Sequence, residues 1–384
     1  MALPKLLIAA TTDAEMRYAS GLSVPDPFIL LDTGRQRQVL VSTLEYGRVK
    51  KELSRKKKFK VILFEKYYEA IKKRLEKEAK RTGKKVRRGS VLARIAALHL
   101  KRLRIKQVLV PRNAWALHVE QLRKEGILVE VSTALLYPER AVKNTGELRE
   151  ILKVRDACVE AMARCFTIIK KSEVGPKGEL VFEGKKVTSE SLKVEARAAL
   201  LRHGCEASEL IISHGEQAAY PHEIGSGLIK VGEPIILDFF PRNTESGYWF
   251  DMTRTVCKGE PKKALQKLWN TVKEAQDASL KLIKPGIKTG TLHAAVEKVF
   301  AKRGYKTTER AGYLHSTGHG VGLDIHEAPS LSKGGKEVLR KGNVITIEPG
   351  LYYRKLGGVR LENTVLVTAT GYKDLTCMGR VLRL

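Results

Sequence analysis

The sequence predicts a smaller α/β domain followed by a larger α+β domain. Its 384 residues exceed what one ordinary hydrophobic core supports, which suggests two domains. In the first third, short apolar runs alternate with helical patterns, as is typical of an α/β domain. The remainder combines long amphipathic helices with strands that carry acidic residues, which is the α+β pattern. A polar segment at residues 142–147 separates the two patterns, so we expect domains at 1–143 and 144–384.

Four apolar runs in the first domain have the composition of buried strands, and they lie at residues 28–31, 38–42, 60–64 and 107–111. Two helices are predicted between the last two runs. In the first helix, at residues 69–81, apolar side chains recur at Ile71, Leu75 and Ala79, which predicts one buried face and one basic outer face. The second helix, at residues 90–101, is rich in alanine and leucine.

The second domain is expected to begin with a long helix. Thr145 is the candidate cap, and apolar residues follow it at helical spacing. Further helices are predicted near residues 189–203 and 261–282. The strands between them carry Asp238 and Asp251 within or beside apolar runs. A carboxylate in such a run is costly to bury unless something pairs with its charge.

The formal net charge of +29 is concentrated in one stretch of the first domain. Between residues 48 and 106, about two dozen lysines and arginines accompany about five acidic residues. One interpretation is a surface for nucleic acid or another anionic partner. No aromatic residue lies between Lys72 and Arg104 to stack on bases, so the sequence favours a solvated basic face and leaves a nucleic-acid partner as the alternative.

Cysteine usage and hydropathy limit the class of protein. The five cysteines are scattered without CxxC spacing, which predicts free thiols and argues against a cysteine metal site. No apolar run approaches the roughly eighteen residues of a membrane span. The apolar stretch at residues 6–10 is too short for a secretory signal. We therefore expect a cytoplasmic protein without membrane contact.

The most informative stretch is HSTGHGVGLDIHE at residues 315–327. It contains three histidines, and two glutamates follow it, Glu348 in Ile-Glu-Pro-Gly and Glu362 in Arg-Leu-Glu-Asn. Together with Asp238 and Asp251, this region provides four carboxylates and an imidazole. Such a donor set suits two divalent cations.

These residues resemble the metallopeptidases of the pita-bread fold, the group that contains methionine aminopeptidase, aminopeptidase P and prolidase. Residues 315–327 fit the proline-peptidase signature of that family, and the resemblance covers residues 144–384. Residues 1–143 look like the creatinase-type N-terminal domain of the proline-specific members. The resemblance implies a metal-dependent exopeptidase that hydrolyses the Xaa-Pro bond of peptides or dipeptides, and it favours a homodimer.

The resemblance also implies a role for each metal-site residue. Asp238, Asp251, His319, Glu348 and Glu362 would bind two divalent cations, with Asp251 and Glu362 as the bridging carboxylates. A water or hydroxide shared by the metals would be the nucleophile, and Glu348 would carry a proton from it to the leaving nitrogen. Manganese is the expected metal, with cobalt, zinc or iron as alternatives.

Four further residues are expected around the substrate. The resemblance places His222 over the substrate, His326 beside the tetrahedral intermediate and His315 on the wall of the site. Arg360 lies two positions before Glu362, so strand alternation predicts that both side chains share one face. Arg360 is therefore expected to face the substrate or to orient a ligand.

One departure from the family pattern lies between the two aspartates. The hairpin loop at residues 241–247 is longer than is usual in the family. An insertion at a hairpin tip can leave both strand ends in register, so we expect it to alter the substrate pocket more than metal binding. Thr253, two positions beyond Asp251, shares that residue's face and is a candidate partner for a ligand.

Three other functions fit parts of the sequence. Creatinase-like amidinohydrolysis uses the same fold without metals, and retention of all five ligand positions argues against it. A non-enzymatic or bifunctional protein that binds nucleic acid or another anionic partner through the basic first domain is the main alternative, because the +29 charge supports it. Methionine aminopeptidases lack the N-terminal domain. The sequence leaves open the choice between aminopeptidase P and prolidase.

Overall fold

The computed structural model describes residues 3–82 and 89–384, and it divides the chain into two compact units, Met1–Pro138 and Glu139–Leu384. Part of the basic stretch, residues 83–88, lies outside the described residues. Within the described ranges, no helix has both the length and the apolar character needed to cross a membrane. The five cysteines are free thiols, as predicted, and all but Cys377 are buried.

The first unit is built on a six-stranded mixed sheet. Its elements in chain order are β1 (Lys5–Ala9), α1 (Ala14–Ser20), β2 (Phe28–Asp32), β3 (Arg37–Val41), α2 (Thr43–Leu53), β4 (Phe59–Leu63), α3 (Glu65–Thr82), α4 (Val91–Arg102), β5 (Gln107–Val110), α5 (Ala116–Lys124) and β6 (Leu128–Val131). The strand order is β4-β3-β2-β1-β5-β6. Strand β2 pairs antiparallel with β1 and β3, whereas the other three pairings are parallel. This unit has the α/β architecture that the sequence predicts.

The four predicted strands correspond to β2, β3, β4 and β5, and the two predicted helices correspond to α3 and α4. The sequence did not predict β1 or β6, and most residues of β6 are exposed. On α3, Ile71 is buried and Leu75 packs against the same core, while Lys72 and Lys73 are exposed. The amphipathic pattern predicted for this helix is confirmed.

The second unit combines helices with antiparallel strands. A short 3-10 helix, Pro138–Ala141, precedes the elements α6 (Thr145–Lys171), β7 (Glu173–Val174), β8 (Leu180–Phe182), β9 (Lys185–Lys186), α7 (Ser189–Arg202), β10 (Cys205–Glu206), β11 (Ile211–His214), β12 (Ile235–Phe239), β13 (Arg242–Asn243), β14 (Met252–Val256), α8 (Lys263–Leu280), α9 (Thr289–Lys302), β15 (Val344–Ile347), β16 (Gly350–Tyr353), β17 (Gly357–Arg360), β18 (Asn363–Val367) and β19 (Tyr372–Asp374). The pairings between these strands are antiparallel. The predicted α+β architecture is therefore confirmed.

The cap of helix α6 differs from the prediction by one residue. Asn144, and not Thr145, is the N-cap, because its Oδ1 accepts hydrogen bonds from the N–H groups of Gly146 and Glu147. The Glu147 carboxylate accepts a reciprocal bond from the Asn144 N–H. This arrangement satisfies N–H groups that the start of a helix otherwise leaves unpaired.

The strands that carry the acidic residues form a buried three-stranded sheet, β11-β12-β14. All five residues of β12 and all five of β14 are buried. Apolar side chains of both strands belong to the same core as the inner face of α6. Because this core fixes β12 and β14, polar side chains on these strands are held in defined positions inside the protein.

Candidate metal centre

The two aspartates lie near one end of the buried sheet. Asp238 is on β12 and pairs with Ile211 on β11 and with Thr253 on β14. Asp251 lies directly before β14, and its carbonyl oxygen accepts a 2.7 Å hydrogen bond from the Thr364 hydroxyl. Because β12 and β14 are antiparallel, the chain returns past the hairpin to bring Asp251 near Asp238.

The other three predicted ligands border strands β15 and β18. The Thr346 N–H donates to the His319 carbonyl at 2.8 Å, and the Thr346 hydroxyl accepts from the His319 N–H at 3.0 Å. The backbone segments at Gly318 and Thr346 are so close that a Cβ at Gly318 would collide with the Thr346 carbonyl oxygen. Only glycine therefore fits at this position. Glu348 follows β15 directly, and Glu362 directly precedes β18, which pairs with β15.

Three of the five predicted ligands form one tight group. Ligand atoms of Asp251, His319 and Glu362 lie within 4.8 Å of one another, and all three residues are buried. Nε2 of His319 is 3.6 Å from Oδ2 of Asp251 and 3.2 Å from Oε1 of Glu348. Its Nδ1 lies 3.1 Å from the Gly320 carbonyl oxygen. Because a carbonyl can only accept, Nδ1 carries a proton, and Nε2 is the nitrogen presented to a cation.

Two carboxylate oxygens in this group are buried without a hydrogen-bond partner among the described residues. They are Oδ1 of Asp251 and Oε1 of Glu362. A buried and unpaired carboxylate oxygen is costly, and a coordinated cation compensates for that cost. Carboxylates with one imidazole suit manganese, iron, cobalt or zinc. The donor set therefore fits a divalent cation.

The pKa shifts locate the excess negative charge. Burial, followed by the charges of Glu362 and Asp238, raises the pKa of Asp251 well above its usual range. Burial, followed by the charges of Glu348 and Asp238, raises the pKa of Glu362 to about 8. Burial alone would also raise the pKa of Glu348, but the hydrogen bond and charge of His319 lower it to about 2. A cation beside Asp251 and Glu362 would relieve this repulsion.

Asp238 is held by an arginine. Nη2 of Arg360 donates to Oδ2 of Asp238 at 2.6 Å, and Nε of Arg360 donates to the Thr253 hydroxyl at 3.3 Å. The Thr253 hydroxyl donates in turn to Oε2 of Glu362 at 2.7 Å. Strand alternation is not what brings Arg360 here, because β17 ends at Arg360 and β18 begins only at Asn363. The Arg360 side chain is 4% exposed, and its contacts suit a residue that orients ligands.

The exposed histidines His222 and His326 lie around this group. The His326 ring meets the His319 ring edge to face, with centroids 4.2 Å apart. Burial, followed by the nearby imidazole of His319, lowers the pKa of His326. The carbonyl of Pro221, directly before His222, accepts a 3.2 Å hydrogen bond from Nη1 of Arg360. His326 therefore contacts the ring of a candidate ligand, whereas the connection of His222 to the centre runs through the backbone of Pro221.

A tyrosine that the sequence analysis missed joins His315 to Arg360. Nδ1 of His315 donates to the Ser316 carbonyl at 2.8 Å, so Nε2 accepts from the Tyr352 hydroxyl, also at 2.8 Å. The same hydroxyl accepts a 2.8 Å hydrogen bond from Nη1 of Arg360. Burial is the main reason that the pKa of His315 is lowered. Tyr352 carries no sequence signal of its own, because it lies inside the ordinary strand β16.

The hairpin between Asp238 and Asp251 contacts the segment between His319 and His326. The Trp249 N–H donates to the Gly322 carbonyl at 2.8 Å, and its indole N–H donates to the Leu323 carbonyl at 3.1 Å. Both carbonyls lie between His319 and His326 in the chain. The effect of this hairpin on substrate choice remains a prediction, and these contacts provide a route for it.

The chain is similar to known proteins in sequence and in fold. Residues 149–369 match metallopeptidase family M24. The chain is 35% identical to an Xaa-Pro dipeptidase from Pyrococcus horikoshii over 252 residues, which are 63% of this chain and 70% of that protein. It is 34% identical to an Xaa-Pro dipeptidase from Pyrococcus furiosus over 251 residues, 62% of this chain and 70% of that protein. A solved prolidase from Pyrococcus furiosus matches with a TM-score of 0.77 and 24% identity, over 98% of this chain and 97% of that one. The structural likeness confirms the expected pita-bread fold.

Proposed function

Because this chain belongs to metallopeptidase family M24, we propose that it is a metal-dependent exopeptidase that hydrolyses the peptide bond before proline. The two similar proteins named Xaa-Pro dipeptidase support this bond specificity. One observation carries the metal-dependent chemistry: the buried oxygens of Asp251 and Glu362 that have no hydrogen-bond partner among the described residues. A protein keeps such a cluster of repelling carboxylates where their charge has a use.

Five residues would hold two divalent cations. Asp251 and Glu362 are the proposed bridging carboxylates, because each presents an oxygen with no hydrogen-bond partner among the described residues. Both also belong to the group whose ligand atoms lie within 4.8 Å of one another. Asp238 would complete the donor set of one cation, and His319 with Glu348 that of the other. Manganese is the proposed metal, with cobalt, zinc or iron as alternatives.

When bound, the cations would lower the pKa of a shared water, so that hydroxide is available near neutral pH, and would polarise the scissile carbonyl. The surrounding residues keep the donors oriented. Thr253 fixes Glu362 through its 2.7 Å hydrogen bond, and Arg360 fixes Asp238 through its 2.6 Å contact. The Gly320 carbonyl fixes the ring of His319. Such contacts set both the direction and the basicity of a ligand.

Glu348 is the proposed proton carrier. Its Oε1 accepts from the Thr346 hydroxyl at 3.3 Å, and its Oε2 lies 3.9 Å from Nδ1 of His315. As a general base, the Glu348 carboxylate accepts a proton from the attacking water. As a general acid, it returns that proton to the proline nitrogen, which then leaves as a neutral amine.

Three histidines are proposed to surround the substrate. His326, beside His319, would donate a hydrogen bond to the oxygen of the tetrahedral intermediate. His222 would contact the substrate, and His315 would line the site next to Glu348. Arg360 is proposed to act on the substrate only through the ligands and the Pro221 segment that it holds, because its side chain is buried.

Peptide hydrolysis tests the proposal. Metal-free protein would be reconstituted with manganese, cobalt, zinc or iron and assayed on Xaa-Pro dipeptides and Xaa-Pro-Yaa tripeptides, with alanine-for-proline peptides as the control. Cleavage of dipeptides alone indicates a prolidase, and cleavage of tripeptides indicates an aminopeptidase P. A metal-loaded protein that cleaves neither set contradicts the proposed function. The proposed homodimer is checked on the same preparation by light scattering.

A further inference from the structure

A charged cluster connects the segment before α6 to the loop at residues 319–327. Nη2 of Arg140 donates to Oε2 of Glu327 at 2.7 Å and to Oδ2 of Asp324 at 2.9 Å. The Lys143 ammonium donates to Oε1 of Glu327 and, at 2.8 Å, to the Arg140 carbonyl. We call this cluster the loop clamp, and it consists of Arg140, Lys143, Asp324 and Glu327. Both oxygens of Glu327 are thus held by residues 184 and 187 positions earlier in the chain.

Three members of the loop clamp are buried at considerable cost, whereas Asp324 is about half exposed. The side chains of Arg140, Lys143 and Glu327 are 2%, 1% and 2% exposed. Nε and Nη1 of Arg140 are also buried, with no hydrogen-bond partner among the described residues. Buried ion pairs contribute little net stability, because the loss of hydration offsets their attraction, and apolar side chains of similar size often replace them without loss. Stability alone therefore does not explain this cluster.

The position of Glu327 offers an explanation. It follows His326 directly, and its backbone exchanges two 2.9 Å hydrogen bonds with Gly320, the residue after His319. Its carboxylate occupies the space that a Cβ at Gly322 would need. The loop between the two histidines is therefore closed at Glu327. With the loop closed, the rings of His319 and His326 meet at an interplanar angle of 82°.

We propose that Arg140 and Lys143 are positioning residues, which act through Glu327 to hold His326 beside His319. This inference rests on the proposed function, in which His326 contacts the reacting carbonyl. Glycines at 320 and 322 give the loop little rigidity of its own. The loop clamp supplies that rigidity from another part of the chain, and Arg140 and Lys143 need not touch substrate or metal.

Lys143→Met tests the catalytic consequence. The methionine side chain has similar length, but it leaves the buried Glu327 carboxylate short of one donor. We expect kcat on an Xaa-Pro substrate to fall about 10–100-fold, with KM and the number of bound metal ions little changed. Lys143→Arg keeps the charge and should recover most of the loss. Lys153→Met is the matched control on α6, because the Lys153 side chain is 66% exposed, and it should leave kcat unchanged.

A double-mutant cycle separates positioning from general damage. If Lys143 acts through His326, then Lys143→Met should cost little in a His326→Ala background, since the group that it positions is already gone. Equal losses of kcat in the two backgrounds would overturn the proposal. So would a Lys143→Met enzyme with normal kcat.

Amide hydrogen exchange of the metal-free protein provides a readout that is independent of activity. Lys143→Met should speed exchange in residues 319–328 about tenfold or more while exchange in α7 stays the same. Unchanged exchange in residues 319–328 would overturn the proposal. If Lys143→Met does not fold, Glu327→Gln takes its place with the same expected pattern. If the wild-type protein cleaves no Xaa-Pro peptide, the proposed function fails, while exchange still decides whether the loop clamp holds this loop.

Discussion

The hydroxyl of Thr253 donates a 2.7 Å hydrogen bond to Oε2 of Glu362, 109 positions later in the chain. The other oxygen of that carboxylate, Oε1, is buried with no hydrogen-bond partner in the described part of the chain. One oxygen is thus fixed by the protein, and the other is left for a cation. This is the arrangement expected of a metal ligand with an orienting partner.

Thr253→Val should weaken metal binding. Valine keeps the shape of threonine but cannot donate to Glu362, so the carboxylate loses its fixed direction. We expect manganese affinity to fall about 10–100-fold, measured by titration calorimetry on metal-free protein. Thr271→Val is the control, because Thr271 lies on α8 and its hydroxyl donates to the Lys267 carbonyl of the same helix. Equal affinity in the Thr253 and Thr271 variants would argue against the orienting role.

Asp251→Asn should stabilise the metal-free protein while removing both cations. Burial and the charges of Glu362 and Asp238 raise the pKa of Asp251, so its ionised form is unfavourable without metal. Neutralising it should raise the free energy of unfolding, and with it the Tm, of the metal-free protein. The measurement is thermal unfolding in chelator, with metal analysis after reconstitution. Manganese should raise the Tm of the wild type but not that of the variant.

Asp277→Asn is a control in which removal of a negative charge should change Tm in the opposite direction. Burial would raise the pKa of Asp277, but Lys273 and Arg380 lower it, so this carboxylate is stabilised in its charged form. Its neutralisation should lower Tm in chelator. A fall in Tm for metal-free Asp251→Asn as well would contradict the account of charge repulsion at the centre.

His319→Ala should remove or weaken only one of the two cations. Nε2 of His319 faces Asp251 and Glu348, whereas Asp238 pairs with Arg360. Loss of one imidazole therefore leaves the proposed donors of the second cation in place. Metal analysis should show a drop from about two to about one ion per chain. Two tightly bound ions in the variant would exclude His319 as a ligand.

Glu348→Gln should lower turnover more than metal binding. The amide keeps a carbonyl oxygen as a metal ligand but cannot accept the proton of the attacking water. We expect kcat to fall roughly 10²–10⁴-fold, as is typical when a general base is removed. Metal content must be measured on the same sample. A metal-replete variant with near-normal kcat is incompatible with the proton-carrier role.

Charge reversal on α3 should leave peptidase activity unchanged. Lys72, Lys73 and Lys77 are exposed and are the residues to change to glutamate. Arg74 is left out because it pairs at 2.9 Å with the buried carboxylate of Glu125. If this surface is only a solvated face, it should bind nucleic acid weakly, and the binding should disappear near physiological salt. Tight binding by the wild type that the reversal abolishes would instead support the alternative of an anionic partner.

The fold around α4 should lose stability in mild acid. Burial, followed by the charges of Arg102 and Lys60, lowers the pKa of His99 from 6.5 to about 4. The unfolded chain therefore binds more protons than the folded one between these values, and stability falls as pH drops through this window. At pH 5 the loss should be about 1–2 kcal/mol, seen as faster exchange of α4 amides after correction for intrinsic rates. His99→Gln should remove most of this pH dependence.

Local patterns were sufficient for much of the fold and for the identity of the candidate ligands. The helical spacing of Ile71 and Leu75 predicts α3 because each helix buries its own apolar stripe. Asp238 was conspicuous because a carboxylate in an apolar run needs a partner. Local patterns were less decisive at ends of elements, where Asn144 and Thr145 are both good caps. Only the actual hydrogen bonds to Gly146 and Glu147 distinguish them.

The candidate ligands and their order along the chain can be read from the amino-acid sequence. The contacts that hold these side chains depend on the folded chain: Arg360 holds Asp238, Thr253 holds Glu362, and Lys143 holds Glu327. These contacts join residues 122, 109 and 184 positions apart. No periodicity in the chain encodes such pairs, because they depend on strand register, on where loops cross and on which buried charges meet as the core packs.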